Sequence, residues 1–194
     1  MITKELINPK SIAVVGGSDD IHKPGGAVLK NLLNGNFKGK LMVVNPKSDV
    51  VQGVKCYKKV EELPQTDLAI LAIPAQFCPD AVEILCSKKR CKALIILSAG
   101  FHEDGPQGTI YENRIVEIVN KSGASLIGPN CIGVTTPNYS GVFTQPVPKL
   151  VDKGIDIISG SGATIVFILE TASQFGLPIS SIFSVGNSAQ LGIE

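Results

Sequence analysis

Short, almost uninterrupted apolar runs alternate along this chain with longer amphipathic stretches, and no other feature narrows the fold so far. The runs at residues 11–15, 41–44, 68–73, 93–97 and 124–127 are rich in Val, Ile and Leu. Gly, Pro or Asn bounds them. A strand that is apolar at nearly every position must be covered on both faces, as in a parallel sheet between helices. Helix-length segments fall between the runs, at about 26–33, 77–87 and 107–121. In the last, Ile110, Ile115, Val116, Ile118 and Val119 predict an apolar stripe, with Glu112, Arg114 and Glu117 on the polar side. Strand–helix alternation of this kind predicts an α/β fold, a parallel sheet with right-handed crossovers.

The pattern breaks at 133–148. Pro137, Pro146 and Pro148 are interspersed there with Thr, Asn, Ser and Gln. No clear period is visible, so an irregular connection is expected. Strand–helix alternation then resumes, with a strand at 154–158, the turn Ser159-Gly-Ser-Gly162, a helix at about 163–174 and a strand at 181–185. The division expected is a parallel-sheet domain over 1–135, a linker over 136–150 and a first βαβ unit over 151–194. One βαβ unit is too little to close a second domain, so that domain is expected to be incomplete.

Composition excludes several function classes. The 194 residues carry 18 Lys+Arg against 17 Asp+Glu. A net charge of +1 gives no electrostatic case for nucleic acid or an anionic membrane surface. No apolar run approaches the roughly 18 residues that span a bilayer. The five cysteines (Cys56, Cys78, Cys86, Cys91, Cys131) are odd in number and include no Cys-x-x-Cys pair. Neither a disulfide framework nor a zinc site is expected, and a reducing, cytoplasmic compartment fits best. His22 and His102 are far apart, so no protein-ligated metal is expected.

The chemistry concentrates in the turns after the apolar runs. The first run enters Gly16-Gly17-Ser18 and reaches Gly25-Gly26 just before a helix. A glycine-rich turn at a helix N-terminus offers amides and a dipole to a phosphate. The strict Gly-x-Gly-x-x-Gly spacing is absent, and the loop carries His22 and Lys23. The second run ends in Asn45-Pro46-Lys47, where a chain that binds a bare ribose carries an acid. A lysine suits a phosphorylated ribose instead, and NADP and coenzyme A both answer to that description. Ile73-Pro74 and Ser98-Ala99-Gly100-Phe101 end the next two runs and should face the same crevice. His102 with Glu103 and Asp104 reads either as an acid/base pair or as an exposed turn cluster. Cys131 has no base beside it in sequence and reads as a packing residue.

Gly16-Gly-Ser18, Asn45-Pro-Lys47, Ile73-Pro74, Ser98-Ala-Gly100-Phe101, Gly128-Pro-Asn-Cys131-Ile-Gly133 and Ser159-Gly-Ser-Gly162 occur in the order seen in one family. In this the chain resembles, along its whole length, the N-terminal part of the NDP-forming acyl-CoA synthetases. That family includes ADP-forming acetate–CoA ligase and is related to the succinyl-CoA synthetase α subunit. The resemblance implies a Rossmann-like CoA-binding domain followed by the start of a flavodoxin-like α/β domain. By position it implies that Gly16, Gly17 and Ser18 line the CoA diphosphate, with Pro46 and Lys47 beside the 3′-phosphate. Ile73, Pro74, Ser98, Ala99 and Gly100 would flank the nucleotide or pantetheine, and Asn130 would lie near the thiol end. Ser159, Ser161 and Gly162 would seat a phosphoryl group, although Ser161 alone could be a plain helix cap.

The family's reaction joins an acid to CoA at the expense of a nucleoside triphosphate, through acyl phosphate and a phosphohistidine. That histidine is expected beyond Glu194, so this polypeptide alone is expected to bind CoA without completing the ligation. The implied partners are an ATP-grasp domain or β subunit, in an oligomer. Two alternatives remain at this point: a noncatalytic CoA-binding regulatory module and an NADP-binding oxidoreductase fragment.

Overall fold

The computed structural model describes residues 2–35, 37–145 and 147–193. Pro146 of the expected linker and Glu194 lie outside the described residues. After a single helical turn, α1 (Lys4–Ile7), the chain enters β1 (Ser11–Val15), α2 (Pro24–Asn34) and β2 (Lys40–Val44). A small hairpin follows, β3 (Val50–Val51) and β4 (Val54–Tyr57), then β5 (Leu68–Leu71), α3 (Cys78–Lys88) and β6 (Ala93–Ile96). Next come α4 (Pro106–Ser122), β7 (Ser125–Ile127), β8 (Gly133–Thr136) and β9 (Tyr139–Val142). Last are β10 (Leu150–Ser159), α5 (Gly162–Phe175) and β11 (Ile179–Ser184).

Seven strands form the first sheet in the order β3-β4-β2-β1-β5-β6-β7, parallel throughout except for the β3–β4 edge. Numbering only the parallel strands along the chain gives 3-2-1-4-5-6, the Rossmann order. Its two faces bury alternate residues of the same strands. Ala13, Val15, Met42, Leu71 and Ile96 pack with Val82, Leu85, Ile115 and Val119 of α3 and α4. Ile12, Val14, Val43, Ile70 and Ile95 pack with Val28, Leu29 and Leu32 of α2, and with Leu6. The unbroken apolar runs thus reflect a sheet that has no wet face.

Two readings of the sequence need correction. The stretch 133–148, expected to be irregular, contains the antiparallel β8–β9 hairpin, so strand β9 lies within the span expected to be a linker. Its Val134 and Tyr139 join the α2-side core, and the hairpin pairs through β8 with β11 in a second sheet, β10-β11-β8-β9. The prolines mask the period because Pro137 sits in the hairpin turn between the strands. In α4, Ile110 is 59% exposed whereas Glu112 is 9% exposed. The stripe of α4 is carried by Ile115 and Val119, with Val116 and Ile118 partly buried against the same core, and the buried carboxylate has hydrogen-bond partners described below.

Tyr139 is fully buried, and its hydroxyl donates to the Leu6 carbonyl at 2.8 Å, tying the hairpin to α1. Tyr139→Phe leaves that carbonyl without its donor. A loss of about 1–2 kcal/mol is expected, read as a lower urea midpoint with an unchanged m-value.

Candidate functional site

The Rossmann order reverses direction between β1 and β5. From β1 the chain crosses through α2 to β2 on one side, and from β5 through α3 to β6 on the other. A crevice outside the carboxyl ends of the strands opens at such a point. The loops after β1 and β5 meet there. Gly16 has φ +90°, and a Cβ on it would lie 2.5 Å from the Ala72 carbonyl oxygen and 2.8 Å from Ile73 Cγ2. At the other end of the loop, a Cβ on Gly25 would strike the Gly16 carbonyl. Glycine at both positions lets the loop fold flat against the start of α2. That helix begins at Pro24, which has no N–H, with no side-chain cap from Lys23, and the Gly26 and Ala27 amides donate to the Lys23 carbonyl at 3.0 and 2.9 Å; the positive end of the helix still points at the loop.

Polar side chains hold the loop from the second side. Asn45 Nδ2 donates to the Gly17 carbonyl at 2.8 Å, while Asn45 Oδ1 accepts from the Lys47 and Ser48 amides. This joins the glycine turn to the Asn-Pro-Lys turn and leaves the Lys47 side chain on the exposed surface. Gln52, in the β3–β4 turn, donates through Nε2 to the Ser18 and Gly26 carbonyls at 2.8 and 2.9 Å. Its amide donates to Asp19 Oδ1. Asp20 accepts from the His22 amide and pairs with Lys23 at 3.5 Å. The hydrogen bond from His22 is the main cause that holds the Asp20 carboxyl below its ordinary value. Both acids of the loop are therefore engaged, Asp19 with the β3–β4 turn and Asp20 within the loop itself.

The wall continues across β6 and β7. Ser98 Oγ donates to the Ile73 carbonyl, and the Asn130 amide donates to the Ser98 carbonyl at 2.9 Å. Gly100 adopts φ +103° and Asn130 φ +56°. Gly186, after β11, lies against the Pro129 and Asn130 carbonyls, and a Cβ on Gly160 would sit 3.5 Å from the Gly186 carbonyl. Gly16, Gly17, Ile73, Ser98 and Asn130, expected from sequence, thus form one continuous run of neighbours. The Ser159–Gly162 turn closes its far end.

Within that turn Ser161 is the N-cap of α5: its Oγ accepts from the Thr164 amide at 3.3 Å. Ser159 Oγ accepts from the Ser161 amide and donates to the Ser161 carbonyl. The cap leaves the Ser161 hydroxyl proton free to point away from the helix.

His102 is not paired with its sequence neighbours. Its Nδ1 lies 2.8 Å from Glu112 Oε1 of α4. Glu103 instead accepts from the Gly100 and Phe101 amides at 2.7 and 3.2 Å, and from Asn187 Nδ2. Asn45, Gln52, Glu112 and Asn187 are not among the binding residues expected from sequence, and of these only Asn45 has a local sign, its place in the Asn-Pro-Lys turn; Glu103, read in the sequence beside His102 as one half of an acid/base pair, meets other partners instead. Burial raises the Glu103 carboxyl, but the donors from Asn187, Gly100 and Phe101 outweigh it and hold the group below its ordinary 4.5. A lowered folded-state value contributes stability that is present above the unfolded value and is lost as pH falls through the folded one. Destabilisation below about pH 4.5 should accordingly be shallower in Glu103→Gln than in the unchanged chain, as read by melting temperature against pH.

The thiols have no reactive setting. All five cysteines are buried and free, and burial pushes Cys78, Cys91 and Cys131 up to about 12. Cys131 packs with its Sγ 3.3 Å from the Ile96 carbonyl.

Elsewhere, a cleft of about 420 Å³ lies at the C-terminal end of α2, lined by Asn31, Ser140, Gln145 and Lys149. It is remote from the glycine turn, which sits at the opposite end of that helix. Among the described residues, no helix is long and apolar enough to cross a membrane.

Residues 10–137 match the family described as CoA binding domain. ADP-forming acetate–CoA ligase I of Archaeoglobus fulgidus is 38% identical over 192 residues, covering 97% of this chain and 27% of that protein. The α subunit of ADP-forming acetate–CoA ligase II of Pyrococcus furiosus is 40% identical over 189 residues, 96% of this chain and 40% of that subunit. The solved dinucleotide-forming acetyl-coenzyme A synthetase 1 of Ca. Korarchaeum cryptofilum, in complex with phosphate and ADP, is 34% identical. It has a TM-score of 0.89 and covers 98% of this chain and 40% of that one. The chain spans well under half the length of each of these proteins.

Proposed function

Because this chain belongs to the CoA binding domain family, we propose that it is the coenzyme A-binding portion of an ADP-forming acid–CoA ligase. One observation carries the reading: the glycine turn, the Asn-Pro-Lys turn and the strand ends at Ile73, Ser98 and Asn130 form one wall at the sheet's switch point. Gly16, Gly17 and Ser18, with the positive end of the α2 dipole, hold the diphosphate. Pro46 shapes the turn from which Lys47 reaches the 3′-phosphate. Ile73, Pro74, Ser98, Ala99 and Gly100 flank the nucleotide and pantetheine, and Asn130 stands at the thiol end.

Bound CoA supplies the thiol that receives the acyl group. Ser161, through its free hydroxyl proton, and the Gly162 amide give uncharged donors to a phosphoryl group at the start of α5, with Ser159 shaping the turn. The full reaction, acid + CoA + NTP ⇌ acyl-CoA + NDP + phosphate, needs an ATP-grasp domain or β subunit and a phosphorylated histidine. Neither of this chain's histidines takes that role: His102 is engaged with Glu112, and His22 lies in the glycine loop. Five buried free thiols favour a cytoplasmic setting.

Thermal melts test the binding role. CoA should raise the melting temperature, and NADPH should not. A shift with NADPH alone would transfer the wall to a nicotinamide carrier and overturn the proposal.

A further inference from the structure

Asn187 belongs to the turn after β11, yet it sits between the two loops that carry Gly100 and Asn130. Its Nδ2 donates to Glu103 Oε2 and to Glu112 Oε2, the latter at 3.0 Å. Its Oδ1 accepts from Asn130 Nδ2 at 3.3 Å, and its backbone amide donates to the Pro129 carbonyl at 2.9 Å. Ionised carboxylates only accept hydrogen bonds. Two of them converging on one end of an amide require that end to be the NH₂, which turns the Asn187 carbonyl oxygen toward Asn130. Asn130 must then present its own NH₂ to Asn187, which leaves its carbonyl oxygen free. The orientation passes through two amides without ambiguity, from acids on the β6–α4 loop and on α4 itself. His102 Nδ1 lies 2.8 Å from the other oxygen of Glu112 and holds that carboxylate from behind.

We propose that Glu103, Glu112 and Asn187 are positioning residues that fix Asn130 with its carbonyl oxygen outward, as an acceptor for the N–H or S–H groups of the pantetheine arm. This rests on the CoA reading above and deepens it. The clamp acts at the pantetheine end only: its hydrogen bonds reach the Gly100 and Asn130 loops and, among the described residues, none reaches the glycine turn or Lys47.

The test uses two ligands that share the nucleotide and differ in the arm: CoA, and adenosine 3′,5′-bisphosphate, which lacks pantetheine. Isothermal titration is run on the unchanged chain and on Asn187→Ala and Glu103→Gln. The proposal predicts that CoA affinity falls about tenfold in Asn187→Ala and about threefold in Glu103→Gln, with bisphosphate affinity held within about twofold in both. Unchanged CoA affinity in both variants overturns it. So does an equal loss for the two ligands in both variants, which would make the cluster a general structural tie. If the unchanged chain binds bisphosphate as tightly as CoA, the arm has no seat here and the inference falls while the nucleotide site stands. Binding of neither ligand to the unchanged chain would instead bring down the CoA reading itself.

Discussion

Gly25→Ala is expected to weaken CoA binding by at least about tenfold and to destabilise the fold by about 1–3 kcal/mol. The added methyl would fall on the Gly16 carbonyl, a backbone atom that cannot rotate away. The space on the β5 side of Gly16 is already filled by the Ala72 carbonyl and the Ile73 side chain, so the loop cannot retreat toward β5. The remaining response is to lift the loop off the helix start, which separates the glycine turn from the helix end proposed to hold the diphosphate with it. Gly123→Ala is the matched control. Gly123 ends α4 at φ +66° with no heavy atom within 4 Å of an added Cβ. It should cost about 1 kcal/mol of stability and leave CoA affinity unchanged.

The second large effect is selective. Lys47→Glu should lower CoA affinity about tenfold and dephospho-CoA affinity by less than about threefold, in titrations at low salt. Lys47 is exposed, and its turn is built by Asn45 through backbone amides, so reversing the charge leaves the turn's hydrogen bonds intact. The loss should shrink as salt rises, because an exposed charge pair is screened within a Debye length of about 10 Å at 0.1 M. Equal losses for the two ligands would remove Lys47 from the 3′-phosphate.

Much of the fold was legible because the parallel strands lack a polar face. Residues 11–15, 41–44, 93–97 and 124–127 reappear within a residue of β1, β2, β6 and β7, and the helices fall where the amphipathic segments were. The β3–β4 hairpin was not legible. Val50–Val51 is two residues long, and Lys55 and Lys58 dilute the apolar signal at a sheet edge. Glu112 was assigned to the polar side of α4 because type and period are all a sequence offers. Its partners, His102 and Asn187, arrive from another loop and from a turn 75 residues away.

The site divides in the same way. Gly16, Asn45 and Ser98 belong to local turns whose chemistry can be read in place. The residues that bind those turns together could not be read so. Gln52 crosses 34 residues to reach Ser18, and Asn187 crosses 84 to reach Glu103. Such latches carry no local signature, since any exposed Gln or Asn could occupy the same position in the sequence.

Amide hydrogen exchange with and without CoA tests the location of the site most directly. Protection is expected at residues 16–26, 45–48, 73–75, 98–101 and 129–131, with the cleft around Asn31, Ser140 and Lys149 unaffected. Protection confined to that cleft, or none at the glycine turn under saturating CoA, would contradict the placement.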